Sequence, residues 1–258
     1  MDNGNDRTLN AYLPHEKLHV YAEALTFLRT ILPLVASWPR KHAVRDQMDR
    51  AGGSILTNLA KAARRRRTDH GIYYIECSLG SVLECAACFD IAFAKRLVTD
   101  PVLQTGKDSL QRIARMQIGL RRSWCDEVRE GDESYGAATG VYFPHESLVL
   151  YQRSLQLCRQ LEGSILAAGR RSSPYARRID QTATSLVLNI AEGNGRFSRL
   201  DHGSFITVAQ DAATMLGVYL DLAAGADSAD TESAKATLRE VAMLLAGLKG
   251  YLADEGKD

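Results

Sequence analysis

Long unbroken apolar runs are missing from this 258-residue sequence, and no stretch approaches the roughly 18 residues that a spanning helix needs. The first residues, Met1-Asp2-Asn3-Gly4-Asn5-Asp6, are polar and acidic, with no apolar signal region. A cytoplasmic protein without a membrane partner is expected. Cysteine is scarce: Cys77, Cys85, Cys88, Cys125 and Cys158 are odd in number and repeat no paired pattern, which favours free, mostly buried thiols over a disulfide framework. Alternating β-branched runs are absent too, and strands are not expected. No Gly-rich nucleotide loop, Ser-His-Asp arrangement or repeated carboxylate pair stands out, so the expectation is a protein that is not an enzyme and carries no cofactor or metal. Net charge is only +1, which by itself selects no partner.

What the sequence does contain is repetition. Pro14-His15-Glu16, Leu18 and Tyr21 return as Pro144-His145-Glu146, Leu148 and Tyr151. Ser54-Ile55 with Asn58 returns as Ser185-Leu186 with Asn189, and Asp69-His70-Gly71 as Asp201-His202-Gly203. A unit of this length carries its own core. We read two units, residues 1–130 and 144–258, joined by a flexible, exposed linker over 131–143 in which Gly131, Gly136 and Gly140 accompany Asp132, Glu133 and Ser134.

Each unit reads as four helices. The apolar period predicts them near His15 to Ala36, His42 to Arg66, Asp69 to Leu97 and Val102 to Arg129, then near His145 to Ala168, Pro174 to Glu192, Ser198 to Ala224 and Ala229 to Ala253. Met48, Gly52, Ile55 and Leu59 fall at three- and four-residue steps, as do Ile179, Ala183, Leu186 and Ile190. Short connections between long amphipathic helices favour antiparallel neighbours. The predicted fold is all-α, two tandem up-down four-helix bundles.

The two units differ in charge. Residues 1–130 hold 20 Lys plus Arg against 15 Asp plus Glu; the remainder holds 12 against 16. They also differ at one helix end. Ala191-Glu192-Gly193-Asn194-Gly195-Arg196 ends a helix on glycines, and Ser198 with Asp201 resembles a capping box for the next. The matching stretch of the first unit, Ala60-Lys61-Ala62-Ala63-Arg64-Arg65-Arg66-Arg67, has lost both glycines, and the helix is expected to continue into the arginines. Arg64, Arg65, Arg66 and Arg67 give forked donors suited to a phosphate backbone, and Arg112, Arg115, Arg121 and Arg122 on the fourth helix are positioned to extend the patch. A solvated helix end is the competing reading.

Other motifs have plainer explanations. His15-Glu16-Lys17-Leu18-His19 matches the H-E-x-x-H zinc pattern, but the second unit has Val149 in place of the second His, and Glu16 serves a helix start. Cys85 and Cys88 form a single C-x-x-C inside an apolar helix, which favours core packing. Asn58 and Asn189 read as amides satisfied by a neighbouring helix or backbone, and His70 and His202 as first-turn residues.

These residues resemble the bacterial 23S rRNA-intervening-sequence protein family, four-helix bundles that include the accessory variability determinant of diversity-generating retroelements. The resemblance rests on Ser185, Asn189-Ile190-Ala191-Glu192-Gly193, Arg196 and Ser198 in the second unit, and on Gln47, Ser54-Ile55, Asn58 and Gly80-Ser81 with Glu84 in the first. Departures are visible as well: Lys61 and Ala62 stand where the pattern has Glu-Gly, and Ala212-Ala213 where it has Gly-Ser. The resemblance implies a left-handed bundle, often a ring-like homo-oligomer, without known catalysis. In the retroelement branch it implies a basic scaffold for RNA and a reverse transcriptase. The expected function is therefore a non-enzymatic scaffold or accessory protein that binds nucleic acid, with RNA favoured, through the arginine-rich end. Self-association and a reverse transcriptase are the further partners expected. A structural or protein-interaction bundle is the alternative.

Overall fold

The computed structural model describes residues 13–125, 142–166, 174–223 and 229–254, and among these the regular structure is helical. The first four helices are α1 (His19–Ser37), α2 (Ala43–Arg64), α3 (Asp69–Ala94) and α4 (Asp100–Cys125). The next four are α5 (Val149–Gly163), α6 (Ala176–Asn194), α7 (Arg199–Ala223) and α8 (Ala229–Asp254). In each set of four the helices close a bundle: α1 packs on α2 and α4, and α3 on the same two; α5 packs on α6 and α8, and α7 on the same two. The protein is all-α. The linker proposed from sequence lies outside the described residues except for its last two, Tyr142 and Phe143.

The burial pattern shows why the sequence chooses this arrangement. In α1, Val20, Ala24, Phe27, Leu28, Ile31 and Val35 are buried, a set of three- and four-residue steps that places one stripe against the core. Helix α3 is different. Apart from Glu84, every residue from Ser78 to Ala92 is buried, so this helix is covered on all sides. Its outer covering is the second bundle, since α3 packs against α5 and α6, and α2 also meets α6. One continuous apolar core runs through both bundles. Contrary to the expectation from sequence, α1 and α3 are each long and apolar enough to cross a membrane by length and composition alone. Burial accounts for the apolarity of α3, whose most apolar window is 72% buried; that of α1 is only 33% buried.

Helix ends depart from the sequence expectations for local reasons. Pro14–Lys17 and Pro144–Ser147 are 3-10 turns, and extended residues Leu18 and Leu148 separate them from α1 and α5. Glu16 accepts from the Leu13 N–H at 2.6 Å, which holds the first turn. Helix α2 stops at Arg64 instead of continuing through the arginines, because residues 65–67 turn to start α3. Helix α6 runs two residues past Glu192 and is capped at Gly195.

Candidate nucleic-acid interface

The arginine run forms a turn at one end of the first bundle. Arg65 caps α2, its carbonyl accepts from the Thr68 hydroxyl at 2.8 Å, and that hydroxyl in turn accepts from the Gly71 N–H at 3.1 Å. A Cβ at Gly71 would overlap the Arg65 carbonyl, so glycine is what lets α3 begin directly beneath the turn. Ala62, Ile75 and Trp124 pack together under it and join the ends of α2, α3 and α4. Arg64, Arg66 and Arg67 are exposed and Arg65 is half-buried. Among the described residues no carboxylate lies within ion-pair distance of any of the four. The Arg65 guanidinium lies over the Tyr74 ring at 5.3 Å, with Lys61 at 5.4 Å from the same ring, and Tyr73 beside it is exposed. Guanidinium groups without a carboxylate partner among the described residues, near the exposed Tyr73 ring, have the chemistry to meet phosphates and stack on a base.

The arginines of α4 are distributed differently. Leu120 packs at the Trp124 cluster, so Arg121 and Arg122 sit at the same bundle end as the turn. Arg121 is engaged, with Glu76 at 2.8 Å and its guanidinium over Phe197 at 4.2 Å. Arg122 is half-buried. Arg112 lies nine residues earlier, about 14 Å along the helix axis, and pairs with Glu23 of α1 at 2.6 Å. Arg115 donates to Gln111 on its own helix at 3.1 Å.

The Ser-x-x-x-Asn spacing makes a local bond in both bundles. Asn58 donates to the Ser54 hydroxyl at 3.0 Å, and Asn189 to the Ser185 hydroxyl and carbonyl at 3.1 and 2.7 Å. In the first bundle Ser81 donates onward to Ser54 at 2.8 Å and ties α3 to α2. Ala213, in the matching position of α7, has no hydroxyl to do so.

Glu192 belongs to a junction that sequence reasoning did not foresee, while Gly193 and Ser198 serve the α6–α7 connection beside it. Glu192 pairs with Arg196, and both lie against the spot that a Gly80 side chain would occupy on α3. Burial raises the Glu192 carboxyl above its ordinary value, against the lowering pull of Arg196. Glu84 nearby is raised to about 7, by burial first and by Glu192 second. Gly195 sits where a Cβ would overlap the Leu83 side chain, and Gly193 where one would crowd Phe205 and His202 of α7. Ser198 accepts from the Asp201 N–H at 3.4 Å as α7 begins. Gly80 and Gly195 thus let α6 seat on α3, and Gly193 lets it seat on α7. In the repeat, Arg64 takes the place of Gly195 and Lys61 that of Glu192, so the arginine end of α2 is unsuited to the same kind of docking.

Charged groups complete the junction. Lys95 at the end of α3 is ion-paired with Asp180 of α6, both almost fully buried, and the other Asp180 oxygen accepts from the Ala43 N–H at 2.7 Å. Lys107 of α4 reaches Asp90 at 2.5 Å and Glu146 at 2.8 Å, and Tyr151 donates to Asp90 at 2.8 Å. The sequence signal for this polar junction is Asp90 within the apolar run that follows Glu84 in α3, with Lys95 capping its end.

Two acidic and histidine groupings have metal-like proximity, His42 with Glu162 and Asp180, and Asp90 with His145 and Glu146. In the first, both Asp180 oxygens are already taken. In the second, the Lys107 ammonium stands between the carboxylates. The His15 and His19 pair fails as a zinc motif, because extended Leu18 separates them and His15 packs on Tyr21 instead. Cys85 and Cys88 are fully buried, and burial pushes both thiols far up. His70 is exposed at the start of α3; His202 is half-buried, and its burial lowers it.

Residues 16–119 match the family model of the 23S rRNA-intervening sequence protein. The match spans α1 to α3 and most of α4, and covers less than half of the chain. The Ser54, Asn58 and Gly80-Ser81 positions and the arginine turn all fall inside the 23S rRNA-intervening sequence protein match. No curated protein and no solved structure matches the chain.

Proposed function

We propose that this protein is a non-enzymatic, cytoplasmic RNA-binding scaffold or accessory protein, built by tandem duplication of a 23S rRNA-intervening sequence protein unit, and that the Arg64 to Arg67 turn is its RNA contact. The observation that carries the reading is the turn itself: four arginines without a carboxylate partner among the described residues, backed by Tyr73 and Tyr74. The family match over the first bundle supports RNA over DNA. A reverse transcriptase as protein partner follows from the resemblance to the retroelement branch, and self-association from the resemblance to the wider family; co-purification with such an enzyme tests the first.

Replacing all four arginines with Glu is expected to weaken RNA binding strongly while circular dichroism keeps its helical signal and melting stays cooperative, at a somewhat lower temperature from the loss of the Arg65–Tyr74 contact and of positive charge at the helix end. Neutral replacement by Gln should flatten the slope of log affinity against log salt by about 0.7 for each phosphate no longer neutralised on single-stranded RNA. Equal RNA affinity for the folded wild type and the folded Glu variant refutes the site. The second reading, a protein-interaction bundle, would then lead. It is favoured by the α7 face, where Val208, Met215, Val218 and Leu222 are each about half exposed.

A further inference from the structure

We infer that the cleft at the opposite end of α2 binds a polyphosphate group. The cleft encloses about 830 Å³ between the α1–α2 turn and the start of α6, within the size range of small-molecule sites. Among the described residues four cations line it: Arg40 and Lys41 from the turn, Arg45 from the first turns of α2, and Arg177 from α6. Among the described residues none of the four has a carboxylate within ion-pair distance. The Arg45 guanidinium donates to the Trp38 carbonyl at 2.9 Å, which ties it to the turn.

The local acids do not cancel this charge. Asp180 lines the cleft, but Lys95 neutralises it and the Ala43 N–H holds its second oxygen. Asp46 is exposed and is the single carboxylate in the lining without an ion pair among the described residues. Four cations against one free carboxylate suit an anion with several charges better than a lone phosphate, and forked guanidinium donors match its oxygens. The shared chemistry is a triphosphate, whether of a free nucleoside triphosphate or of the 5′ end of an RNA. Helix α2, with 22 residues, separates this cleft from the Arg64 to Arg67 turn by about 33 Å, so the two sites are independent and each stands without the other.

Calorimetric titration of the full chain with tripolyphosphate tests the cleft. Saturable binding is expected for wild type. The triple variant Arg40→Gln, Lys41→Gln, Arg177→Gln replaces exposed side chains that hold no ion pair among the described residues, and should bind at least about tenfold more weakly from the loss of charge-assisted bonds. Asp46→Asn should tighten binding, and the Arg64 to Arg67 glutamate variant should bind tripolyphosphate like wild type. No saturable binding, or equal binding by the folded triple variant, overturns the inference. So does loss of binding in the Arg64 to Arg67 variant alone. Tighter binding of ATP than of tripolyphosphate assigns a free nucleotide. Tighter binding of 5′-triphosphate RNA than of 5′-hydroxyl RNA, abolished by the triple variant, assigns an RNA end.

Discussion

Two buried ionisable groups give the chain opposite responses to pH. His145 is fully buried, stacked near Phe143 at 5.9 Å and edge-on to Tyr151 at 4.7 Å, and neither ring nitrogen has a hydrogen-bond partner among the described residues. Burial, with Lys107 adding to it, lowers it from 6.5 to about 3. Unfolded chains bind a proton there that the folded protein refuses, so stability falls as pH drops from about 6.5 towards 3. Glu84 behaves in reverse: the folded carboxyl keeps its proton up to about 7, whereas the unfolded one loses it near 4.5. Its contribution disappears as pH rises through that window. Phenylalanine fits the aromatic surroundings of His145, so His145→Phe should recover about 3 kcal/mol at pH 4 relative to pH 8. Glu84→Gln should recover about 1 to 3 kcal/mol at pH 8 relative to pH 4. Urea midpoints at the two pH values read both effects, and an unchanged pH dependence in either variant removes the corresponding group from the account.

At the scale of helices, one pair of positions decides which helix end docks and which stays open. Gly195 lies against Leu83 inside the junction, and Arg64, its repeat counterpart, is exposed. Gly195→Arg would bury a guanidinium against an apolar side chain and should cost about 3 kcal/mol or more in denaturant unfolding. Arg64→Gly removes an exposed side chain and should cost less than about 1 kcal/mol while weakening RNA binding. Similar destabilisation by both substitutions would contradict the asymmetry. The eight helices were legible because their apolar steps follow the 3.6 period. Their ends were less so: the stop at Arg64 depends on the Arg65 carbonyl, Thr68 and Gly71 meeting in space, which spacing along the chain does not encode. Nor does periodicity say which neighbour covers a face. The near-continuous burial of α3 was written in its lack of a polar side between Ser78 and Ala92, a signal that a helix is enclosed, but the enclosing helices α5 and α6 were not. The arginine run was legible as charge, whereas its separation from Arg112 and Arg115 required the helix axis.

For the molecule as a whole, the junction joins the two bundles through one continuous core in spite of the glycine-rich segment between them. Cleavage between residues 131 and 140 should therefore leave two helical fragments that stay together, and light scattering should return the mass of the intact chain. The buried Lys95 and Asp180 pair offers a way to loosen them. Lys95→Met strips the Asp180 carboxylate of its buried cation while the Ala43 N–H still donates to it, and breaking a buried pair in this way costs about 3 to 5 kcal/mol. Asp180→Asn added to Lys95→Met keeps an acceptor for Ala43 while removing the stranded charge, so the double variant should regain more than half of that stability. The single variant, once nicked, is expected to separate into fragments at concentrations where nicked wild type and the nicked double variant remain associated. Separation of nicked wild type, or an undiminished association in Lys95→Met, would show that the bundles are held by something other than this shared core and its ion pair.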